Sequence, residues 1–145
     1  MVSSATTERS KVMVRTVFDQ AAIIENYLKA VEQGDLSGVL AFFSDNSTVY
    51  SPLQGRKLSP AEFFPQVFDA SAAAKITLLD IFSNSTSGNK AAAYFQYDWT
   101  LPDGVQTSFD AVDIFEFSAG DNKIVSMTAL YDTYPLRSAI GDQYG

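Results

Sequence analysis

The chain has 145 residues, of which 46% are hydrophobic, 13% aromatic and 19% charged, which fits one globular domain and argues against disorder. It contains no His and no Cys, so a Ser-His-Asp triad, a cysteine nucleophile, an imidazole or thiolate zinc site and a disulfide are all excluded. A formal net charge of −7 with scattered Lys and Arg argues against nucleic acid, and no apolar run approaches the ~20 residues of a membrane span. The first residues lack the continuous apolar core of a secretory signal. A soluble, cytoplasmic protein that uses neither a metal nor an organic cofactor is the expectation.

Residues 1–18, rich in Ser and Thr, read as a flexible N-terminal arm. A helix is predicted from the N-cap candidate Asp19, with Ala22, Ile23, Asn26, Tyr27, Ala30 and Val31 along one side and Gly34 at its end. Asp35 then caps a shorter helix holding Leu36, Val39, Leu40 and Phe43. Ser47 to Ser51 reads as a short strand stopped by Pro52. Ser59-Pro60-Ala61-Glu62 has the form of a capping box with Pro at the first helical position. That third helix buries Phe63 and Val67, with Phe64 and Phe68 beside them, and tolerates Pro65 near its start.

From Lys75 onward the pattern is one of strands. They run Lys75 to Phe82, Ala91 to Leu101, Val105 to Phe117 and Lys123 to Tyr131, with Pro102-Asp103-Gly104 as the strongest turn signal between them. Three helices followed by a four-strand meander, with one short strand between, predict an α+β domain with helices on one face of a curved antiparallel sheet. In Phe109 to Phe117, alternation puts Asp113 in the middle of the more apolar face, with Phe109, Ala111, Phe115 and Phe117. In the strand before it, Phe95, Tyr97, Trp99 and Leu101 share one face, and Tyr94, Gln96, Asp98 and Thr100 the other. Large aromatics on both faces suggest a second buried surface, most simply a homodimer packed sheet to sheet.

Five segments together carry a resemblance: Tyr27 to Leu36, Phe42 to Val49, Gly55-Arg56, Phe109 to Phe117 and Lys123-Ile124. Over residues 19–135 the chain resembles the nuclear-transport-factor-2-like superfamily, in its branch of ketosteroid isomerases and SnoaL-like polyketide cyclases. The resemblance implies three N-terminal helices packed on a strongly curved, mostly antiparallel sheet, a cone-shaped, cystatin-like α+β barrel, followed by a C-terminal tail at 136–145. It implies a small hydrophobic carbonyl compound of steroid, polyketide or terpenoid type in a cone-shaped pocket, without a cofactor. Tyr27 falls where those isomerases place the oxyanion-hole tyrosine, and Asp113 where they place the protonated acid that donates a second hydrogen bond. Their general base is an Asp directly before a Pro; here that position is Ser51, before Pro52. Phe43 stands where they have a supporting tyrosine. The Asp-Arg-Asp arrangement of limonene-epoxide-hydrolase-like members maps onto Asp98, Gln96 and Ala129, so one acid survives.

Each candidate has a plainer alternative. Tyr27 is either an oxyanion donor or a core tyrosine with its hydroxyl satisfied. Asp113 is either a raised-pKa acid or a carboxyl paired with a neighbouring Tyr or backbone amide. Asp98 is the missing base if the cone is lined by the face that also carries Tyr94 and Gln96, and a solvated residue if it is not. Ser51, Phe64, Phe68, Phe115, Met127 and Tyr131 join Phe43 as expected pocket walls. Two functions follow: cofactor-independent acid–base isomerisation, cyclisation or elimination, or a non-catalytic binding or dimerisation module that has lost its base. Asp98 and Asp113 in one cavity with Tyr27 would favour the first, and Asp98 facing solvent the second.

Overall fold

The computed structural model describes residues 20–84 and 88–140; the expected arm, the cap at Asp19 and residues 141–145 of the expected tail lie outside them. Helix α1, residues 20–32, is amphipathic because Ile24, Tyr27, Leu28 and Val31 recur at helical spacing and are buried. The buried stripe is turned from the predicted one: Ala22 and Asn26 are exposed, because Ile24 and Leu28 have far more apolar surface to remove from water. Gly34, at φ 67°, ends the helix with the paired bonds Asp35 N–H to Ala30 O and Gly34 N–H to Val31 O, each 3.0 Å. That geometry needs a left-handed residue, which glycine adopts without a Cβ clash.

Helix α2 (Leu36–Leu40) is capped by the Asp35 carboxylate, which accepts from Gly38 N–H. It stops before Phe43, which opens strand β1 (Phe43–Tyr50) four residues ahead of the predicted start at Ser47. A two-residue strand β2 (Lys57–Leu58) pairs antiparallel with β1. Helix α3 (Pro60–Asp69) begins at the expected capping box on Ser59 and Glu62, carries Pro65 inside, and buries Phe63 and Phe64. Strands β3 (Ala73–Ser83), β4 (Lys90–Thr100), β5 (Gln106–Phe117) and β6 (Ile124–Tyr131) follow. Helix α4 (Tyr134–Ile140) spans the boundary expected at residue 136; its Leu136 is fully buried in a small cluster with Trp99 and Leu101.

The six strands form one sheet in the order β2-β1-β6-β5-β4-β3, with only β1 and β6 parallel. The α+β, mostly antiparallel architecture is therefore as expected. One face of β4, β5 and β6 receives α1 and α3. Ile24, Tyr27, Leu28, Phe63 and Phe64 from the helices share one apolar core with Ala93, Phe95, Ala111, Phe115 and Met127 from the strands. The opposite, convex face has no element over it among the described residues.

Candidate functional site

A cavity of about 110 Å³ opens between α1, α3 and the concave face of β4, β5 and β6. Its walls are largely apolar, with Leu28, Val31, Phe63, Phe64 and Val67 from the helices and Phe95, Trp99, Phe109 and Met127 from the sheet. Asp113 is the one carboxyl among the described residues that line it.

Strand alternation aims Asp113 inward, and the ladder explains the space around it. Its partners are Ala93 on β4 and Ala129 on β6, two side chains too short to fill the site or to accept or donate a hydrogen bond. The residue is 5% exposed, and no hydrogen bond to its carboxyl is found among the described residues. Burial disfavours the carboxylate and raises the Asp113 pKa from 3.8 to about 7. Near neutrality the group therefore exists in comparable amounts as acid and base, which suits a residue that must both take and give a proton.

The Tyr27 hydroxyl donates to Met127 Sδ at 3.1 Å. Its ring is held edge-on by Phe42, Phe43, Phe64 and Phe115, with centroids 5.5–6.3 Å away. Met127 pairs with Phe115 across the ladder, two residues from Asp113 and so roughly 7 Å along the strand. Burial, then the nearby charges of Asp113 and Tyr97, hold the Tyr27 phenol well above its ordinary pKa. It stays a neutral donor, and a thioether is a weak acceptor. Redirecting this hydrogen to a ligand oxygen therefore costs little.

Three further hydroxyl groups, of Tyr97, Tyr131 and Ser51, face the same space. Tyr97 stacks on Phe109 at 5.3 Å, and burial pushes its phenol up to about 12 although the Ser71 hydroxyl pulls the other way. Phe109 in turn packs on Tyr131 at 4.9 Å, whose hydroxyl shares a 2.5 Å hydrogen bond with Ser51 Oγ. Among the described residues no cluster of three or more acidic, His or Cys side chains could hold a metal ion, and no helix is long and apolar enough to cross a membrane.

The structure brings Tyr27, Ser51, Phe64, Asp113, Met127 and Tyr131 together on the cavity wall. Phe43 and Phe115 stand one layer back, against Tyr27, and Phe68 packs partly buried beside Phe64. Three expected residues are elsewhere. Tyr94, Gln96 and Asp98 lie on the convex face, because Asp113 pairs with Ala93 and inward positions on β4 are therefore odd-numbered. Asp98 there accepts from Ser108 Oγ at 2.6 Å and Gln96 Nε2 at 3.1 Å, and Tyr94 reaches Asp110 at 3.5 Å. Asp98 and Asp113 do not share a cavity. The same correction moves Phe95, Tyr97 and Trp99 inward, where they are wall and not a dimer surface. Tyr97 in particular was missed as a site residue.

Solved structures share the fold. SalBIII, an epoxide hydrolase/cyclase-like enzyme with a role in pyran ring formation in the polyether salinomycin, is 20% identical with a TM-score of 0.71 over 81% of this chain and 93% of its own. PrhC from Penicillium brasilianum gives a TM-score of 0.75 at 15% identity, covering 88% and 89%. An NTF2-like protein of unknown function from Exiguobacterium gives 0.65 at 21%, covering 76% and 98%. At such identities the likeness is one of fold. The family model of the SnoaL-like domain matches residues 24–127, which takes in most of α1, the capped α3 and all but the last strand residues that build the cavity, and the chain belongs to that family.

Proposed function

We propose that the cavity binds a small hydrophobic carbonyl compound and that Asp113 alone performs acid–base chemistry on it. The observation that carries this reading is the buried carboxyl between Ala93 and Ala129, which has no hydrogen-bond partner among the described residues. Tyr27 turns its hydrogen from Met127 to the ligand's carbonyl oxygen. The Asp113 carboxylate removes a proton from the adjacent carbon, and the enolate charge develops on the oxygen that Tyr27 holds. The protonated Asp113 then returns the proton to carbon, at the same or a conjugated position. No second carboxyl is required, so the chemistry is compatible with Asp98 on the far side of the sheet. The cavity, at about 110 Å³ smaller than the roughly 150 Å³ of an apolar cavity that holds benzene, takes the part of the ligand next to the carbonyl and leaves the remainder in its open mouth.

The test is proton exchange at carbon. With 1-tetralone in D2O near neutral pH, the protein should accelerate deuterium uptake next to the carbonyl, and Asp113→Asn should lower that rate by roughly 10²-fold or more. Exchange unaffected by Asp113→Asn would contradict the assignment. Tight binding without exchange favours the second reading, a binding module, which the placement of Asp98 outside the cavity supports.

We further propose that two copies associate through the convex face. Phe82, Ala92, Ile114, Thr128 and Tyr50 pair successively across the strands, and Phe82, Ile114 and Leu130 are 54%, 37% and 46% exposed. Such a continuous apolar band is a candidate interface. Sedimentation equilibrium should show a dimer that Ile114→Lys dissociates; a wild-type monomer at all concentrations would contradict it.

A further inference from the structure

Sheet register brings a hydroxyl pair to the row that holds Asp113. Val49 pairs with Met127 and Tyr50 with Thr128 across β1 and β6, so Ser51 follows beside Ala129, whose other neighbour is Asp113. Ser51 and Asp113 thus flank one alanine, two strand spacings or about 10 Å apart at Cα, and both are buried on the cavity wall. The Ser51 carbonyl accepts from Gln54 N–H at 3.1 Å and from Gly55 N–H at 2.9 Å, a turn that fixes its backbone. Among the described residues the one hydrogen-bond partner of Ser51 Oγ is the Tyr131 hydroxyl, at 2.5 Å. A hydroxyl has one hydrogen and two lone pairs. If Tyr131 donates, Ser51 keeps its hydrogen and one lone pair; if Ser51 donates, it keeps both lone pairs. In either direction Ser51 Oγ is left with acceptor capacity.

We propose that the Ser51–Tyr131 pair is a specificity-determining site that binds a hydroxyl group of the ligand, remote from the carbonyl held by Tyr27. The inward positions of β6 run from Met127, which accepts from Tyr27, through Ala129 beside Asp113 to Tyr131, about 7 Å per step. A ketone with its oxygen at Tyr27 and its adjacent carbon at Asp113 therefore directs its far end to the pair. A hydroxyl suits that place in both directions, because it gives its hydrogen to Ser51 and can take one where Ser51 keeps its own. An apolar end buries the Ser51 oxygen with its remaining capacity unused. The site thus selects hydroxy-ketones over their deoxy counterparts. The packing of Tyr131 on Phe109 and the turn at Ser51 hold both oxygens in place before the ligand arrives.

This inference rests on the reading of the cavity as a ketone site, and calorimetric titration separates the two. The probes are 1-tetralone and its 5-, 6- and 7-hydroxy derivatives, which carry the hydroxyl on the ring away from the carbonyl. The wild type should bind at least one hydroxy compound about tenfold more tightly than 1-tetralone. The double variant Ser51→Ala, Tyr131→Phe removes both hydroxyls, keeps the aromatic ring and should bind that compound no more tightly than 1-tetralone. Binding of 1-tetralone by the wild type with no gain from any hydroxyl overturns the role of the pair alone, and this comparison needs no variant. A preference that survives the double variant overturns it as well. No binding of any probe overturns the cavity reading, and this inference with it.

Discussion

The β4–β5 hairpin carries aspartates on both of its faces, and Asp98 and Asp113 are held in opposite ways. Asp98, on the convex side, is half-buried and accepts hydrogen bonds from Ser108 and Gln96. Asp113, on the concave side, is 5% exposed, stands between two alanines and has no such partner among the described residues. A carboxylate supplied with hydroxyl and amide donors is a stable part of a sheet surface. One buried without them opposes folding in its charged form, so its presence in an apolar wall points to a role other than holding the fold together.

The largest expected contrast between the faces is in packing. Phe115 is fully buried on the concave side and Phe82 is 54% exposed on the convex side. Denaturant unfolding should show a loss of about 3–5 kcal/mol for Phe115→Ala and one within about 0.5 kcal/mol for Phe82→Ala in the monomer. Comparable losses would break the assignment of faces.

Next comes the charge contrast, which has a definite sign. The folded pKa of Asp113, about 7, lies above the unfolded 3.8, so between these values the folded state holds the extra proton and stability falls as pH rises. Above pH 7 the penalty is complete, on the order of 4 kcal/mol for a shift of this size. Asp113→Asn should therefore stabilise the protein by a few kcal/mol at pH 8.5 and by little at pH 3. Asp98→Asn, with its Ser108 contact weakened, should cost about 1 kcal/mol. A gain from Asp98→Asn at pH 8.5 would contradict the contrast. Smallest of all is Tyr27→Phe, which removes only a hydrogen bond to sulfur. It should change stability by less than about 1 kcal/mol while weakening 1-tetralone binding several-fold, as calorimetry would show.

Much of this was legible before any coordinates. The caps at Asp35 and Ser59 are local chemistry, and the alternation around Asp113 is a period of two, so both are written in short windows. The face of β4 was readable too, through one further step. A loop centred on Asp103 pairs Thr100 with Gln106, and the ladder carried up to Asp113 arrives at Ala93. That places Phe95, Tyr97 and Trp99 beside it and sends Asp98 outward. Helix α4 is different. Its place depends on Leu136 meeting Trp99 and Leu101, a tertiary contact with no local signal in seven residues. The parallel pairing of β1 with β6 is equally non-local, and β2 is too short to carry a pattern.

The central claim is that Asp113 is poised between acid and base inside an apolar cavity. The direct test follows the aspartate carboxyl carbons by NMR through a pH titration, with Asp113→Asn to assign the resonance, in the absence and presence of 1-tetralone. The account predicts a midpoint near 7 for Asp113 that moves when the ketone is added. A midpoint near the ordinary value of about 3.9, unmoved by the ketone, would contradict it.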